Sequence, residues 1–249
     1  MRIEKLWLTV GKGGRPGRNI TPKGLVIHWT ANRSYGANAR RNRDYFENHP
    51  EKKVAAHYTV DDSEVVQCVP ENEMAYHVGG QKYTEKALRI LGSYPNSTTI
   101  GIEMCVNRDG DFAKTYKQTV QLAAEVLKRH NLGTGDLWRH YDVTGKDCPR
   151  YFVDDNTARE FGFTDAASGW RGFIADVKAE LARLTDSGSL TAKDIKGHWA
   201  EQDIKQALEE GIVSVDESGL FYPDRPATRA EVVAMLMRLD DRILGKIKQ

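Results

Sequence analysis

Residues 24–28, Gly-Leu-Val-Ile-His, form a short apolar run that begins at a Pro-Lys-Gly turn signal. Such a run predicts a buried β-strand, with His28 at its C-terminal end. Four further strands are predicted, at 55–60, 64–69, 98–106 and 137–140. The first two of these flank an Asp-Asp-Ser turn and therefore form a predicted hairpin.

Helices are predicted between and after these strands, at 37–48, at 115–130 and from Ser168 to Leu184. In the last two, apolar residues recur every three or four positions. Residues 141–148 are predicted to form a loop. Strands that alternate with helices indicate an α/β domain, with a single mixed central sheet flanked by helices, over residues 1–184.

The composition is that of a globular protein. The chain has 249 residues, of which 40% are hydrophobic and 29% are charged. These values argue against a disordered or membrane-embedded chain, and the length suits one ordinary domain and a smaller one. The net charge of +1 gives no reason to expect nucleic acid as a partner. Two basic clusters, at 12–18 and 40–43, are interpreted as solvated faces.

The N-terminal sequence begins with a charged residue but contains no apolar run of signal-peptide length, because Glu4 and Lys5 interrupt its apolar residues early. No segment approaches the length of a transmembrane span. We therefore expect a chain that is made in the cytoplasm without a signal peptide, inserts into no membrane, and reaches the outside by another exit route.

One of the three cysteines differs from the others. Cys68 and Cys105 lie in apolar surroundings, where a free thiol behaves as a small hydrophobic residue. Cys148 lies in a polar segment between Asp147 and Pro149. Together with His28 and His140 it would supply three metal ligands, the number that catalytic zinc usually takes from a protein. Their spacing alone is weak evidence, because the chain has seven histidines.

The composition changes after Leu184. Residues 185–192 are small and polar, which predicts a flexible linker. Beyond it, two amphipathic helices are predicted at 198–210 and 228–244, on either side of a turn-rich segment. Thr228 and Glu231 form a predicted capping box. The C-terminal module, 193–249, is thus expected to be small and all-α, with two main helices and little buried apolar surface of its own.

Five motifs of the first domain resemble, in order, those of the type 2 N-acetylmuramoyl-L-alanine amidases, a family that includes phage endolysins and animal peptidoglycan recognition proteins. The motifs are Gly24-Leu-Val-Ile-His28-Trp-Thr, His57-Tyr-Thr-Val-Asp-Asp, Ala75-Tyr-His77-Val-Gly-Gly, Ile100-Gly-Ile-Glu103 and His140-Tyr-Asp-Val-Thr-Gly-Lys146-Asp-Cys148-Pro-Arg. The resemblance implies one zinc ion held by His28, His140 and Cys148, with Glu103 as the catalytic carboxylate and Lys146 as the group that stabilises the oxyanion.

The chemistry of amide hydrolysis agrees with these implied roles. Zinc polarises the carbonyl and lowers the pKa of its bound water to about 7. A carboxylate must take the proton of that water and pass it to the leaving amine. Glu103 stands in an otherwise apolar strand, where an unpaired charge is costly, and Gly101 leaves room above the same face. The alternatives without a catalytic role are that Glu103 lies at a strand edge and faces solvent, and that Lys146 is an ordinary solvated lysine.

Three further residues have open assignments. His57 and His77 resemble residues near the substrate groove, but His77 fits a structural hydrogen bond equally well. Some relatives carry a catalytic tyrosine just before the position of His57, whereas this chain has Ala56 there, so that role is unfilled. Trp29 either stacks on a sugar or packs in the interior.

The C-terminal module resembles one S-layer homology repeat, which in other proteins anchors the chain to secondary cell-wall polysaccharides. The motifs are Asp194-Ile-Lys-Gly-His198-Trp199-Ala, Ala207-Leu-Glu-Glu-Gly-Ile212, Gly219-Leu-Phe-Tyr-Pro-Asp224 and Thr228-Arg-Ala-Glu231. By resemblance, Trp199 and Arg229 are candidates for binding the polymer; the alternative places Trp199 in the core and Arg229 in the cap of a helix. Members of that family normally carry three repeats, so we expect this chain to form a homo-oligomer through its single repeat.

The sequence as a whole predicts a phage or prophage endolysin that cleaves the bond between the lactyl group of N-acetylmuramic acid and L-alanine in bacterial peptidoglycan, acting at the wall after its release. A non-catalytic protein that binds muropeptides is the alternative, although such relatives typically lose the cysteine ligand. A wall-structural protein would not need Glu103, Lys146 and three ligands in family order.

Overall fold

The structure is a computed structural model that describes residues 3–80, 82–188, 192–216 and 218–247. The chain divides into two compact units, Met1–Leu181 and Ala182–Gln249. The predicted linker, 185–192, lies partly outside the described residues, at 189–191. Its first four residues are helical, because they continue the last helix of the first unit to Gly188.

The first unit contains one mixed six-stranded sheet, which confirms the predicted architecture. Its strands are β1 (Ile3–Lys5), β2 (Gly24–Trp29), β3 (Tyr58–Val60), β4 (Val65–Gln67), β5 (Thr99–Met104) and β6 (Leu137–Arg139). They are ordered β1-β4-β3-β5-β2-β6 across the sheet. Only the predicted hairpin, β3 and β4, is antiparallel among the described pairs. β2 and β5 are central and parallel, and they place Leu25, Ile27, Ile100 and Ile102 in the buried core.

Six helices belong to or begin in this unit. They are α1 (Ala39–Asn48), α2 (Glu85–Leu91), α3 (Phe112–Arg129), α4 (His140–Thr144), α5 (Asp155–Glu160) and α6 (Ala166–Gly188). The apolar residues that predicted α3 are all buried, as an amphipathic helix on a sheet requires; they are Val120, Leu122, Ala123, Val126 and Leu127. The sequence did not predict β1, α2 or α5.

The prediction of a loop at 141–148 was wrong in its first half, because residues from His140 to Thr144 form α4. The carboxylate of Asp142 accepts a hydrogen bond from the backbone amide of Arg139 and so caps the start of the helix. Gly145 adopts a left-handed conformation, φ 81°, that ends it. Residues 145–148 then leave α4 as the predicted loop.

The second unit is helical, as predicted, with α7 (Glu201–Glu209) and α8 (Arg229–Ile247). Ala192, Ile195, Ile204 and Leu208 form its small buried core. The predicted capping box is present, since the amide of Thr228 donates to Glu231 and the amide of Glu231 donates to the Thr228 hydroxyl. None of the helices in the described ranges combines the length and apolar character of a membrane span.

Candidate metal centre and active site

The site lies where β2 and β5 end. In the register of these parallel strands His28 pairs with Glu103, so the two side chains predicted from separate motifs are direct neighbours. The carboxyl ends of adjacent parallel strands are the usual position of a functional site in an α/β sheet. The sheet itself therefore fixes the distance between a candidate metal ligand and a candidate catalytic carboxylate.

His140 and Cys148 reach the same edge from the other side of β2. Strand β6 pairs with β2, and His140 follows it as the first residue of α4. The chain then turns back, and the amide of Tyr141 donates to the carbonyl of Cys148 at 2.9 Å. One ligand atom each from His28, His140 and Cys148 lies within 4.8 Å of the others, and all three residues are buried. The structure thus brings the three predicted ligands together.

The unpaired atoms of this cluster point to a metal ion. His140 Nε2 donates to the carbonyl of Gly79 at 3.2 Å, while its Nδ1 is buried with no hydrogen-bond partner in the described part of the chain. His28 Nδ1 lies 3.7 Å from the Cys148 sulfur. Two imidazole nitrogens and one thiolate, with the far nitrogen of each ring held by the protein, form a donor set that suits zinc and leaves a position for water.

The protonation of the cluster agrees with metal binding. Burial, with the neighbouring His140 as the next cause, lowers the pKa of His28 well below its usual value. Burial and then Lys146 lower the pKa of His140 to about 4. Both rings are therefore neutral near pH 7, as ligands must be. Burial raises the pKa of the Cys148 thiol to about 12, so a metal ion would have to displace its proton.

Glu103 is an unusual carboxyl group. Its Oε2 atom is buried without a hydrogen-bond partner among the described residues. Burial raises its pKa to about 8, and the positive charge of Lys146 opposes this rise. A carboxyl group with a pKa near neutrality can both accept and release a proton at physiological pH, which general acid–base catalysis requires. Lys146 is exposed and close enough to influence the whole cluster.

His57 and His77, the two histidines with open assignments, make hydrogen bonds inside the domain. His57 is fully buried. Its Nδ1 accepts a hydrogen bond from the backbone amide of Gly101, and its Nε2 donates one to the backbone carbonyl of Glu73. His77 is 7% exposed, and both of its ring nitrogens are bonded within the protein. Both ring nitrogens of each residue are therefore engaged within the protein, which for His77 is the structural alternative that the sequence left open. The substrate-binding role of both residues remains a prediction.

The side chain of Trp29 packs against two aromatic rings of the same domain. Its ring makes edge-to-face contacts with Tyr151 at 5.7 Å and Phe161 at 6.1 Å between centroids.

Phe161 also lines a cavity of about 500 Å³ beside Cys105, two residues after Glu103. Arg33 and Arg108 line the same cavity. Sequence reasoning missed both arginines, although each follows the end of a central strand that carries a predicted site residue.

The two predicted polymer-binding residues of the second unit are both exposed. Trp199 is 88% exposed, so the alternative that made it a core residue was wrong. Arg229 is exposed in the first turn of α8. The polymer-binding role of both residues remains a prediction.

Comparison with known proteins identifies the family. The profile of the N-acetylmuramoyl-L-alanine amidase family matches residues 17–151. The chain belongs to this family. All five residues of the predicted centre lie within the part of the chain that the profile covers. A second profile, that of the S-layer homology domain, matches residues 193–233.

Relatives of this chain occur in Bacillus. The N-acetylmuramoyl-L-alanine amidase CwlL of Bacillus licheniformis is 36% identical over 163 residues, which are 63% of this chain and 44% of the relative. XlyA of Bacillus subtilis is 36% identical over 148 residues, 59% of this chain and 46% of the relative. The chain thus spans less than half the length of these relatives.

Solved structures support the same fold. The catalytic domain of XlyA superposes with a TM-score of 0.58 at 32% identity and covers 71% of this chain and 99% of that domain. PlyL superposes with a TM-score of 0.55 at 23% identity, over 72% of this chain and 98% of its own, and supports the fold alone.

Proposed function

We propose that the chain is a zinc-dependent amidase that hydrolyses the bond between the lactyl group of N-acetylmuramic acid and L-alanine in peptidoglycan. The observation that carries this proposal is the convergence of His28, His140 and Cys148 beside Glu103 in a member of the amidase family. The buried and unpaired Nδ1 of His140 supports a metal ion over a purely structural cluster.

In this proposal a bound zinc ion supplies a Lewis acid for the scissile carbonyl and an activated water. Glu103 takes the proton of the attacking water on its carboxylate and delivers it to the nitrogen of the leaving alanine. The Lys146 ammonium offsets the negative charge that develops on the carbonyl oxygen. His28 is held on β2 and His140 on α4, and the backbone hydrogen bond from Tyr141 holds Cys148 beside them, which orients these groups before the substrate arrives.

We place the substrate along the cavity that borders Cys105 and Phe161. Arg33 and Arg108 give this cavity positive charge, which suits the carboxylates of a stem peptide. Arg33 is already paired with Glu160, whereas the guanidinium of Arg108 lies over the ring of Tyr35. Arg108 is therefore the better candidate for a direct contact with the peptide.

The domain at 193–249 would bind a secondary cell-wall polysaccharide, with Trp199 and Arg229 as candidate contacts. Residues 185–192 would connect it to the catalytic domain at 1–184. Attachment to the wall raises the local concentration of a hydrolase at its insoluble substrate. We further propose that the protein is an endolysin, of phage or prophage origin, that acts at the wall.

Self-association through the same domain is part of the proposal. Five large apolar side chains of α8 are exposed, those of Val232, Val233, Leu236, Met237 and Leu239. Burying them against a second copy would be favourable. Light scattering at the working concentration tests this point; a strictly monomeric species would contradict it.

The test of the catalytic proposal is loss of turbidity of purified cell walls. Zinc-loaded protein should clear the walls, and removal of the metal with a chelator should stop clearing until zinc is restored. Glu103→Gln should slow clearing by about 10²- to 10⁴-fold, while Glu51→Gln, at an exposed position, should have no effect. Equal clearing by native, chelated and Glu103→Gln protein would refute the zinc mechanism. Binding to walls without any clearing would favour the non-catalytic alternative.

A further inference from the structure

A chain of hydrogen bonds connects the candidate ligand His28 to the interior of the sheet through His77. His28 Nε2 lies 3.0 Å from His77 Nδ1. On the other side of the His77 ring, Nε2 lies 3.1 Å from the backbone carbonyl oxygen of Thr99 and 3.1 Å from the Thr99 hydroxyl. The His77 ring is therefore in contact with a ligand on one side and with backbone on the other.

The direction of these bonds follows from the partners of Thr99. Its carbonyl oxygen can only accept a hydrogen bond. Its hydroxyl donates its single proton to the carbonyl of Pro95 at 2.7 Å, so towards His77 it can also only accept. Nε2 of His77 must therefore carry a proton and donate it to Thr99.

The other nitrogen of His77 then acts as an acceptor. A doubly protonated His77 would be a buried cation whose partners are a carbonyl, a hydroxyl and another imidazole, which is a costly arrangement. In the neutral ring, Nδ1 has a lone pair and accepts a hydrogen bond from the Nε2–H group of His28. His28 is thereby held as the Nε2–H tautomer, and its Nδ1 lone pair is the one that faces Cys148 at 3.7 Å.

The sheet is shaped to hold His77 in this position. A Cβ atom at residue 101 would lie 2.5 Å from His77 Nδ1 and 2.7 Å from its Cγ, so only glycine leaves room for the ring. The backbone amides of His77 and Val78 both donate to the side-chain oxygen of Asn96, at 3.0 and 2.9 Å. Backbone and ring are thus fixed independently.

We propose that His77 is a positioning residue that selects the tautomer and ring orientation of His28, so that Nδ1 of His28 is the metal-binding atom. His77 itself contacts neither metal nor substrate. The inference rests on the proposed metal centre, since it assigns His77 a role towards that centre. A hydrogen bond to the far nitrogen of a ligating histidine typically changes metal affinity by about 10- to 100-fold.

Two substitutions separate this role from simple packing. His77→Leu removes both hydrogen bonds, whereas His77→Gln keeps a donor for Thr99 and an acceptor for His28. Zinc affinity, measured by competition with a chromophoric chelator on the full chain, should fall by about 10- to 100-fold in His77→Leu. It should recover largely in His77→Gln. Circular dichroism and the melting temperature of the metal-free variants control for folding.

A second measurement needs no substitution. Long-range ¹H–¹⁵N spectra of the histidine rings in the full chain should show His28 protonated at Nε2, both before and after zinc is added. Protonation of His28 at Nδ1 would overturn the proposal, even if His77→Leu failed to fold. Equal zinc affinity of a folded His77→Leu would overturn it while leaving the metal centre intact. Failure of the unsubstituted chain to bind zinc would instead overturn the proposed function itself.

Discussion

Replacing Gly101 by alanine is the smallest change that should disturb the metal centre without touching a ligand. The new Cβ would lie 2.5 Å from His77 Nδ1, and ordinary contact begins at about 3.4 Å. The ring must therefore move by about 0.9 Å, which is more than a 3.0 Å hydrogen bond to His28 tolerates. Overpacking of this kind costs about 1–3 kcal/mol of folding free energy.

The expected result of Gly101→Ala has two parts. In a domain of this size each kcal/mol shifts the melting temperature by about 2–4 °C, so unfolding of the metal-free protein should begin several degrees lower. Zinc affinity should fall by about 10- to 100-fold, because His28 loses its fixed orientation. Calorimetry and chelator competition measure the two effects on the same samples.

Gly133→Ala is the matched control. A Cβ at residue 133 meets no atom within 4 Å, and the backbone there has φ −111°, which alanine adopts without strain. Its melting temperature and zinc affinity should equal those of the unsubstituted chain. If Gly101→Ala kept native zinc affinity, the reasoning that links Gly101, His77 and His28 would be refuted.

Three further outcomes are expected. Removing zinc should lower the melting temperature, since free zinc at 100 times its dissociation constant stabilises by about 2.7 kcal/mol; no change on chelation would contradict a metal in the folded core. Burial raises the pKa of Glu47, but hydrogen bonds from the amide and hydroxyl of Thr9 and from Lys12 outweigh it and lower the pKa to about 2. Because this pKa is depressed, the stabilising contribution of ionised Glu47 is present above about pH 4.5 and lost as the pH falls towards about 2. The stability difference between native protein and Glu47→Gln, followed by denaturant unfolding, should therefore shrink in acid; a constant difference would argue against it. Arg108→Ala should raise KM for soluble muropeptides by about fivefold, equal to about 1 kcal/mol, with kcat unchanged, whereas Arg89→Ala, on α2 and away from the cavity lining, should change neither.

Most of the central sheet could be predicted from the sequence because its signals are local. The apolar run at 24–28 and the spacing of buried residues in α3 each carry their own periodicity. Strand β1 has three residues and is defined by its pairing with β4, some 60 positions away, so no local pattern marks it. Helix α2 does carry a local signal that could have predicted it, the cap at Thr84 with Ala87 and Leu91 on one face.

Some residues of the site could likewise be predicted from the sequence, and others could not. That His28, Glu103, His140 and Cys148 lie close together was predictable, because they stand in motifs that resemble, in order, those of one family. The place of His77 was not, since it depends on Thr99 and Gly101, more than 20 residues away along the chain and adjacent only in the folded sheet. The start of α4 at His140 depends on the hydrogen bond from the amide of Arg139 to the carboxylate of Asp142. The composition of this segment suits a loop as well as a helix, so the sequence alone did not predict the helix.

The measurement that tests the central claim most directly is the chemistry of the cleaved wall. Purified peptidoglycan treated with zinc-loaded protein should gain free N-terminal alanine in step with clearing, and no new reducing sugar should form. Glu103→Gln should slow the gain in alanine by about 10²- to 10⁴-fold while the variant still binds zinc. New reducing sugar without new N-terminal alanine would identify a glycosidase and contradict cleavage of the lactyl–alanine bond.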